Sequence, residues 1–239
     1  MAEVTRALRG RGLVSDTEFT HLREHFAKKS IKYQRIIDTA PLTTMTGTDA
    51  GDSINGVVDR DNVITAGDGN DTLIGAASND LLYGDAGNDT LEGKAGNDTL
   101  IGGQGKDSLR GGEGDDVYIF NKGDGEDTVC DVNGKADEIR LGHESIGVVF
   151  ERVNNDLHVR MPGSLDAITI SSWYSGDNYK IETFKSATGS TITHTQIENL
   201  IQAMSSFQKD TGMTWEQALT TQPSQVQAIV QEYWTVPGV

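Results

Sequence analysis

A single cysteine, Cys130, stands in 239 residues. No internal disulfide can form, and no cysteine-based zinc site can be assembled. Basic residues are also scarce: 20 Lys+Arg against 36 Asp+Glu leave a formal net charge of −16. A field of that sign repels phosphates, so nucleic acid is a poor partner and anionic membrane is disfavoured. Long apolar runs are missing. The stretch MAEVTRALRGRGLVSD has no apolar core of signal-peptide length, and nothing along the chain is apolar for long enough to cross a bilayer. Neither Sec-dependent export nor a membrane span is expected. There is no G-x-S-x-G elbow, no P-loop and no H-E-x-x-H, and HESIG (143–147) lacks a second histidine. Cys130, beside Asp131, has no activating base nearby in sequence.

What the chain has in excess is concentrated. Residues 47–131 hold 16 Asp and 3 Glu against 5 Lys+Arg, a net of −14, together with 18 of the 28 glycines. Such a composition ordinarily stays disordered, because it cannot bury enough apolar surface to offset its chain entropy. A strict period argues otherwise. Asp71, Asp80, Asp89, Asp98, Asp107 and Asp116 stand nine apart, inside units such as AGDGNDTLI (66–74), GDAGNDTLE (84–92), GKAGNDTLI (93–101) and GGQGKDSLR (102–110). With Asp at position 6, position 8 reads Leu73, Leu82, Leu91, Leu100, Leu109 and Tyr118. Glycines at positions 1, 2 and 4 favour a tight turn, and positions 7–9 then form a short strand whose central residue points inward. Stacked units make a narrow parallel coil around a ladder of leucines.

With two units per coil, aspartates 18 apart fall on neighbouring coils, roughly 4.8 Å away along the ladder. Two carboxylates at about 5 Å repel by roughly 1–3 kcal/mol at effective dielectrics of 80 down to 20. A hard divalent cation reverses the sign, taking oxygens from carboxylates and from the carbonyls that glycine turns expose. Calcium suits this better than magnesium, which keeps its waters and a stricter octahedron.

The unit resembles the GGxGxDxUx nonapeptide of the RTX, or haemolysin-type calcium-binding, family, which forms a parallel β-roll. The resemblance implies a calcium between turns 18 residues apart. Carbonyls of positions 2 and 4 and the aspartate come from one turn, and carbonyls of positions 1 and 3 and the aspartate from the next coil. Carried onto this chain, the first row begins with Gly67, Gly69 and Asp71 against Gly84, Ala86 and Asp89. It continues with Asp85, Gly87 and Asp89 against Gly102, Gln104 and Asp107. The second row pairs Ala76, Ser78 and Asp80 with Gly93, Ala95 and Asp98, then Lys94, Gly96 and Asp98 with Gly111, Glu113 and Asp116. Gly103, Gly105 and Asp107 are expected to pair with the turn holding Asp124, and Asp124 and Asp127 to cap the last row. Ala76 and Ser78 replace glycines, which predicts a strained turn and a weaker site. Two looser units precede the set around Asp52 and Asp61, with a register break between Asp61 and Asp71.

The expected fold class is mainly β: the roll over 47–131, a small antiparallel β capping region over 132–193, and helices at both ends. AITISSWYSGDNYKIETFKSATGSTIT resembles the family's C-terminal module, with Trp173 and Tyr174 as packing aromatics. Residues 194–239 turn helical. Ile197, Leu200, Ile201 and Met204 form one stripe, Thr214 and Gln217 a capping box, and Pro223 opens a helix carrying Val226, Ile229, Val230 and Tyr233. This tail resembles the ends of proteins exported by the bacterial type I (ABC-transporter) route. It implies secretion from a Gram-negative bacterium, as part of a larger toxin, adhesin or hydrolase whose passenger domain lies elsewhere.

Residues 1–46 form the remaining segment, in which SDTEFTHLREHFAKKSIKYQRIID reads as a helix opened by Ser15 and Glu18. Within it HLREH matches the H-x-x-E-H spelling of inverted zinc peptidases: His21 and His25 could share a zinc, with Glu24 as base. The competing reading is a solvated helix of mixed charge, since Arg23, Lys28, Lys29, Lys32 and Arg35 surround the motif and a catalytic domain has little room before the roll. A calcium-binding module rather than an enzyme is the expectation, with the zinc metallopeptidase as its alternative.

Overall fold

The computed structural model describes residues 42–235. The chain winds into a parallel β-solenoid whose successive strands alternate between two sheets. The repeat strands are β1 (Thr43–Thr46), β2 (Ser53–Asn55), β3 (Asn62–Asp68), β4 (Thr72–Ala76), β5 (Leu81–Ala86), β6 (Thr90–Ala95), β7 (Thr99–Gln104), β8 (Ser108–Glu113), β9 (Val117–Phe120) and β10 (Glu126–Val129). Odd strands stack in one sheet and even strands in the other. The register follows the period: Ile64, Leu82, Leu100 and Tyr118 align through one sheet, and Ile54, Leu73, Leu91 and Leu109 through the other. All of these except Ile54 are fully buried, so position 8 is the core. Each such leucine contributes about 1.5–3 kcal/mol of burial, which is what a glycine-rich turn cannot supply.

Thr43–Thr46, placed with the N-terminal segment by sequence, is the first strand of the odd sheet and pairs with β3. The register break also falls elsewhere. Asn62, not Asp61, stands 18 residues before Asp80, and its backbone N–H donates to Asp80 Oδ1 at 2.7 Å. The extra residue therefore lies between Asp52 and Asn62.

Beyond the repeats, β11 (Glu138–Leu141), β12 (Val149–Val153), β13 (Asp156–Arg160), β14 (Ala167–Ile170), β15 (Thr183–Lys185) and β16 (Thr191–Thr193) close the roll. β12, β13 and β14 form an antiparallel meander, and β15 and β16 an antiparallel pair. β11 and β14, however, join β9 and β10 in parallel, and β15 joins β11 in parallel. The cap thus extends both sheets by a further coil before it turns back. The unpaired N–H and C=O groups along β9 and β10 are met by strands of the same sense. The ladder continues through Val129 and Ile170 on one side and Ile139, Phe184 and Ile192 on the other.

Three helices pack over this end: α1 (His194–Thr211), α2 (Trp215–Thr221) and α3 (Pro223–Tyr233). Ile197, Leu200 and Met204 face the core, as do Val226 and Val230. Both α1 and α2 open with capping boxes, Thr193 with Gln196 and Thr214 with Gln217. Trp173 is fully buried against Phe184, and its Nε1 donates to Glu198 Oε1 at 3.1 Å, fastening α1 to the roll's end. No helix among the described residues is long and apolar enough to cross a membrane.

Candidate metal centre

Each repeat turn places one aspartate at the rim of the coil, where a repeated hydrogen bond orients it. Oδ1 of Asp89 accepts the backbone N–H of Asp71, that of Asp98 accepts Asp80, that of Asp107 accepts Asp89, and that of Asp116 accepts Asp98, all at 2.7–2.8 Å. Position 4 is tied to the next coil as well: the N–H groups of Gly69, Gly87, Gly96 and Gly105 donate to the carbonyls of Ala86, Gln104, Glu113 and Asp124. The pairings expected from the period are therefore brought together turn by turn. They fall into two rows, Asp71–Asp89–Asp107 on one edge and Asp80–Asp98–Asp116 on the other.

With Oδ1 committed, the second oxygen decides the chemistry. Oδ2 of Asp71, Asp89, Asp98, Asp107 and Asp116 is buried and has no hydrogen-bond donor. Position-1 glycines make the space for it. A Cβ on Gly84 would collide with Asp89 Oδ2 and Gly102 O, and one on Gly93 with Asp98 Oδ2 and Gly111 O. A carboxylate oxygen and a carbonyl of the following coil thus converge at Gly84 and Gly93, as they do at Gly75, whereas position 1 of the Asp71 turn is Ala66. Positions 2 and 4 carry positive φ in most turns, including the non-glycines Asp85 (φ 76) and Lys94 (φ 88). Gly102 and Gly111 supply position 1 in the later turns, and Gly103 continues position 2 in register with Asp85.

Electrostatics make these rows costly. Burial pushes Asp89 and Asp116 up to about 7 and Asp98 up to about 8, with repulsion from neighbouring carboxylates adding to it. Asp107 rises to about 6 and Asp127 to about 8 for the same first reason, burial. None of the ion pairs among the described residues brings a Lys, Arg or His to Asp71, Asp80, Asp89, Asp98, Asp107 or Asp116. Buried, donor-less, hard oxygen atoms in rows with no side-chain cation fit calcium, and the donor set contains neither the thiolate nor the imidazole a softer metal would favour.

Family comparison agrees with this geometry. A family model described as the RTX calcium-binding nonapeptide repeat (4 copies) matches residues 58–91, 83–118 and 92–129. A second, described as the haemolysin-type calcium binding protein related domain, matches residues 156–196. Residues 58–129 are RTX calcium-binding nonapeptide repeats. Ca2+ is the ion they call for.

The RTX turns are not all alike. Ala76 and Ser78 do not adopt positive φ, and the N–H of Ala76 donates to Asp80 Oδ2 at 2.7 Å. Asp80 is thus closed by its own turn, where its counterparts stay open. The first row is closed at its start, where Asp52 Oδ2 accepts from the Thr48 N–H and Oγ1. Asp127 takes position 6 of the next coil, its Oδ1 accepting the Asp107 N–H at 2.9 Å, whereas Asp124 Oδ2 accepts from the Asn121 N–H and Nδ2. Sequence reasoning missed Asp166, whose carboxylate accepts the N–H groups of Gly123 and Gly125 and meets His143 Nε2 at 2.9 Å. It also missed Asp131 and Asp137, which are buried beside Asp116. No nine-residue spacing marks any of the three. HLREH, with His21, Glu24 and His25, lies outside the described residues.

Proposed function

We propose that this chain is the calcium-dependent folding and export module of a larger secreted protein. Calcium lies between coils, bound by Asp71 and Asp89, by Asp89 and Asp107, and by Asp98 and Asp116, with the turn carbonyls named above; the Asp80 turn is weaker. In a calcium-poor cytosol the carboxylates repel and the roll stays open enough to thread through a type I channel. Outside, calcium at or above the site Kd, typically about 10⁻⁴–10⁻³ M for extracellular modules, folds it. Folding on the far side opposes backsliding and gives a passenger domain a rigid neighbour. The observation that carries this reading is the row of buried Asp Oδ2 atoms without donors. The resemblance of 194–239 to type I signals supports the export half.

Export is tested by fusing the chain behind an inert reporter in a host carrying a type I exporter. The fusion is expected in the medium, and loss of residues 194–239 should retain it inside. Export that proceeds unchanged without that tail contradicts the assignment.

A further inference from the structure

The second row does not end at Asp116. The next coil returns after 21 residues, and the backbone N–H of Asp116 donates to Asp137 Oδ1 at 2.8 Å, the same bond that links each earlier pair of aspartates. Strand register also places Asp131 opposite Gly111: Ser108 pairs with Thr128 and Leu109 with Val129, and the Cys130 N–H donates to Leu109 O. Asp131 therefore occupies the position where repeats carry glycine, and its side chain enters the space that position 1 keeps empty elsewhere.

Three carboxylates meet there. One ligand oxygen each from Asp116, Asp131 and Asp137 lies within 4.8 Å of the others. All three residues are at most 1% exposed, and Oδ2 of both Asp116 and Asp131 has no donor. Oδ1 of Asp131 is fixed by the N–H groups of Gly112 (3.1 Å) and Val132 (2.9 Å), which turns the free oxygen inward. Gly134 leaves room for Asp137, since a Cβ there would collide with its carboxylate. Among the described residues no ion pair reaches the cluster. The other row ends differently: Asp166 is satisfied by two glycine N–H groups and His143. One row is closed by hydrogen bonds, and the other ends on buried carboxylate oxygens that no side-chain cation among the described residues meets.

We propose that Asp116, Asp131 and Asp137 hold a further calcium ion, outside the repeat pattern, that joins the last repeat to the cap. Three carboxylates give it more ligand charge than a repeat site, and ligand charge count is one of the quantities that tune such affinities. The Asp137 N–H donates to Glu182 Oε2 at 2.9 Å, and Glu182 immediately precedes β15. The ion would thus fix the strand that starts the cap's last turn. This rests on the calcium reading of the repeats.

The test is calorimetric calcium titration of the full chain with two substitutions at one position. Asp131→Asn keeps the shape and the acceptor for Gly112 and Val132. Asp131→Gly restores the residue the repeats carry in that register, so the coil has a precedent for folding. Each variant should fold in calcium and either lose one equivalent of bound ion or bind it at least about tenfold more weakly. Full stoichiometry and affinity in both variants would overturn the junction site while leaving the repeat sites standing. A wild-type chain that binds no calcium overturns the repeat reading itself, and this site with it.

Discussion

At position 84 glycine is required by space, not by backbone conformation. Its φ lies outside the left-handed region, yet a Cβ would press on Asp89 Oδ2 and on Gly102 O. Both atoms belong to the proposed calcium site, so the side chain would compete with the ion. Gly84→Ala should weaken one calcium and cost the loaded form about 1–3 kcal/mol, as overpacking does elsewhere. Gly147→Ala, with nothing within 4 Å of its added Cβ, serves as the control and should leave both unchanged. Thermal melts with calcium titration read the difference, and equal behaviour of the two variants would remove Gly84 from the site. The same scale explains Asp80. Two substitutions for glycine, Ala76 and Ser78, let its turn donate Ala76 N–H to the oxygen that other turns leave open.

A row of aspartates behaves as one element, because each carboxylate is oriented by the coil before it and repelled by its neighbours. Burial raises Asp89, Asp98, Asp107 and Asp116 above the ordinary carboxylate range, to about 7, 8, 6 and 7. A carboxylate raised on folding binds more protons in the folded state than in the unfolded one. Without calcium, the roll should therefore gain stability as pH falls from about 8 to about 5 and lose it again on the way up. With calcium, protons compete for the same oxygens and the trend reverses. Far-UV melts in calcium-stripped and calcium-loaded buffer at both pH values check the pair of slopes, and parallel slopes would contradict it. Much of this element was legible in sequence. The nine-residue step gave the inward leucines, the coil of 18 and the partners within each row. It could not reveal Asn62, because an amide at position 6 hides beside the more conspicuous Asp61. Nor could it reveal Asp131, Asp137 and Asp166, whose alignment with the rows depends on coils longer than 18 residues. The parallel pairing of β11, β14 and β15 was equally hidden, since local alternation reports a strand and not the sense of its distant neighbour.

For the whole molecule, two kinds of stabilisation are joined end to end. The repeats hold a ladder one leucine wide, flanked by costly carboxylates, while the cap holds Phe150, Trp173, Phe184 and Trp234 in a continuous core with the helices. The cap's core is apolar, whereas under the proposed function the roll depends on its ion. At tenfold excess over Kd each calcium adds about 1.4 kcal/mol, so four sites add roughly 6, comparable with the whole stability of a small domain. Calcium, on this proposal, supplies the free energy that folds the roll. A calcium titration of the chelator-stripped chain, followed by far-UV circular dichroism, tests it most directly. A cooperative rise in strand signal, not reproduced by magnesium at the same concentration, is the predicted result. A chain equally folded in excess chelator, or fully folded by magnesium, would contradict the account.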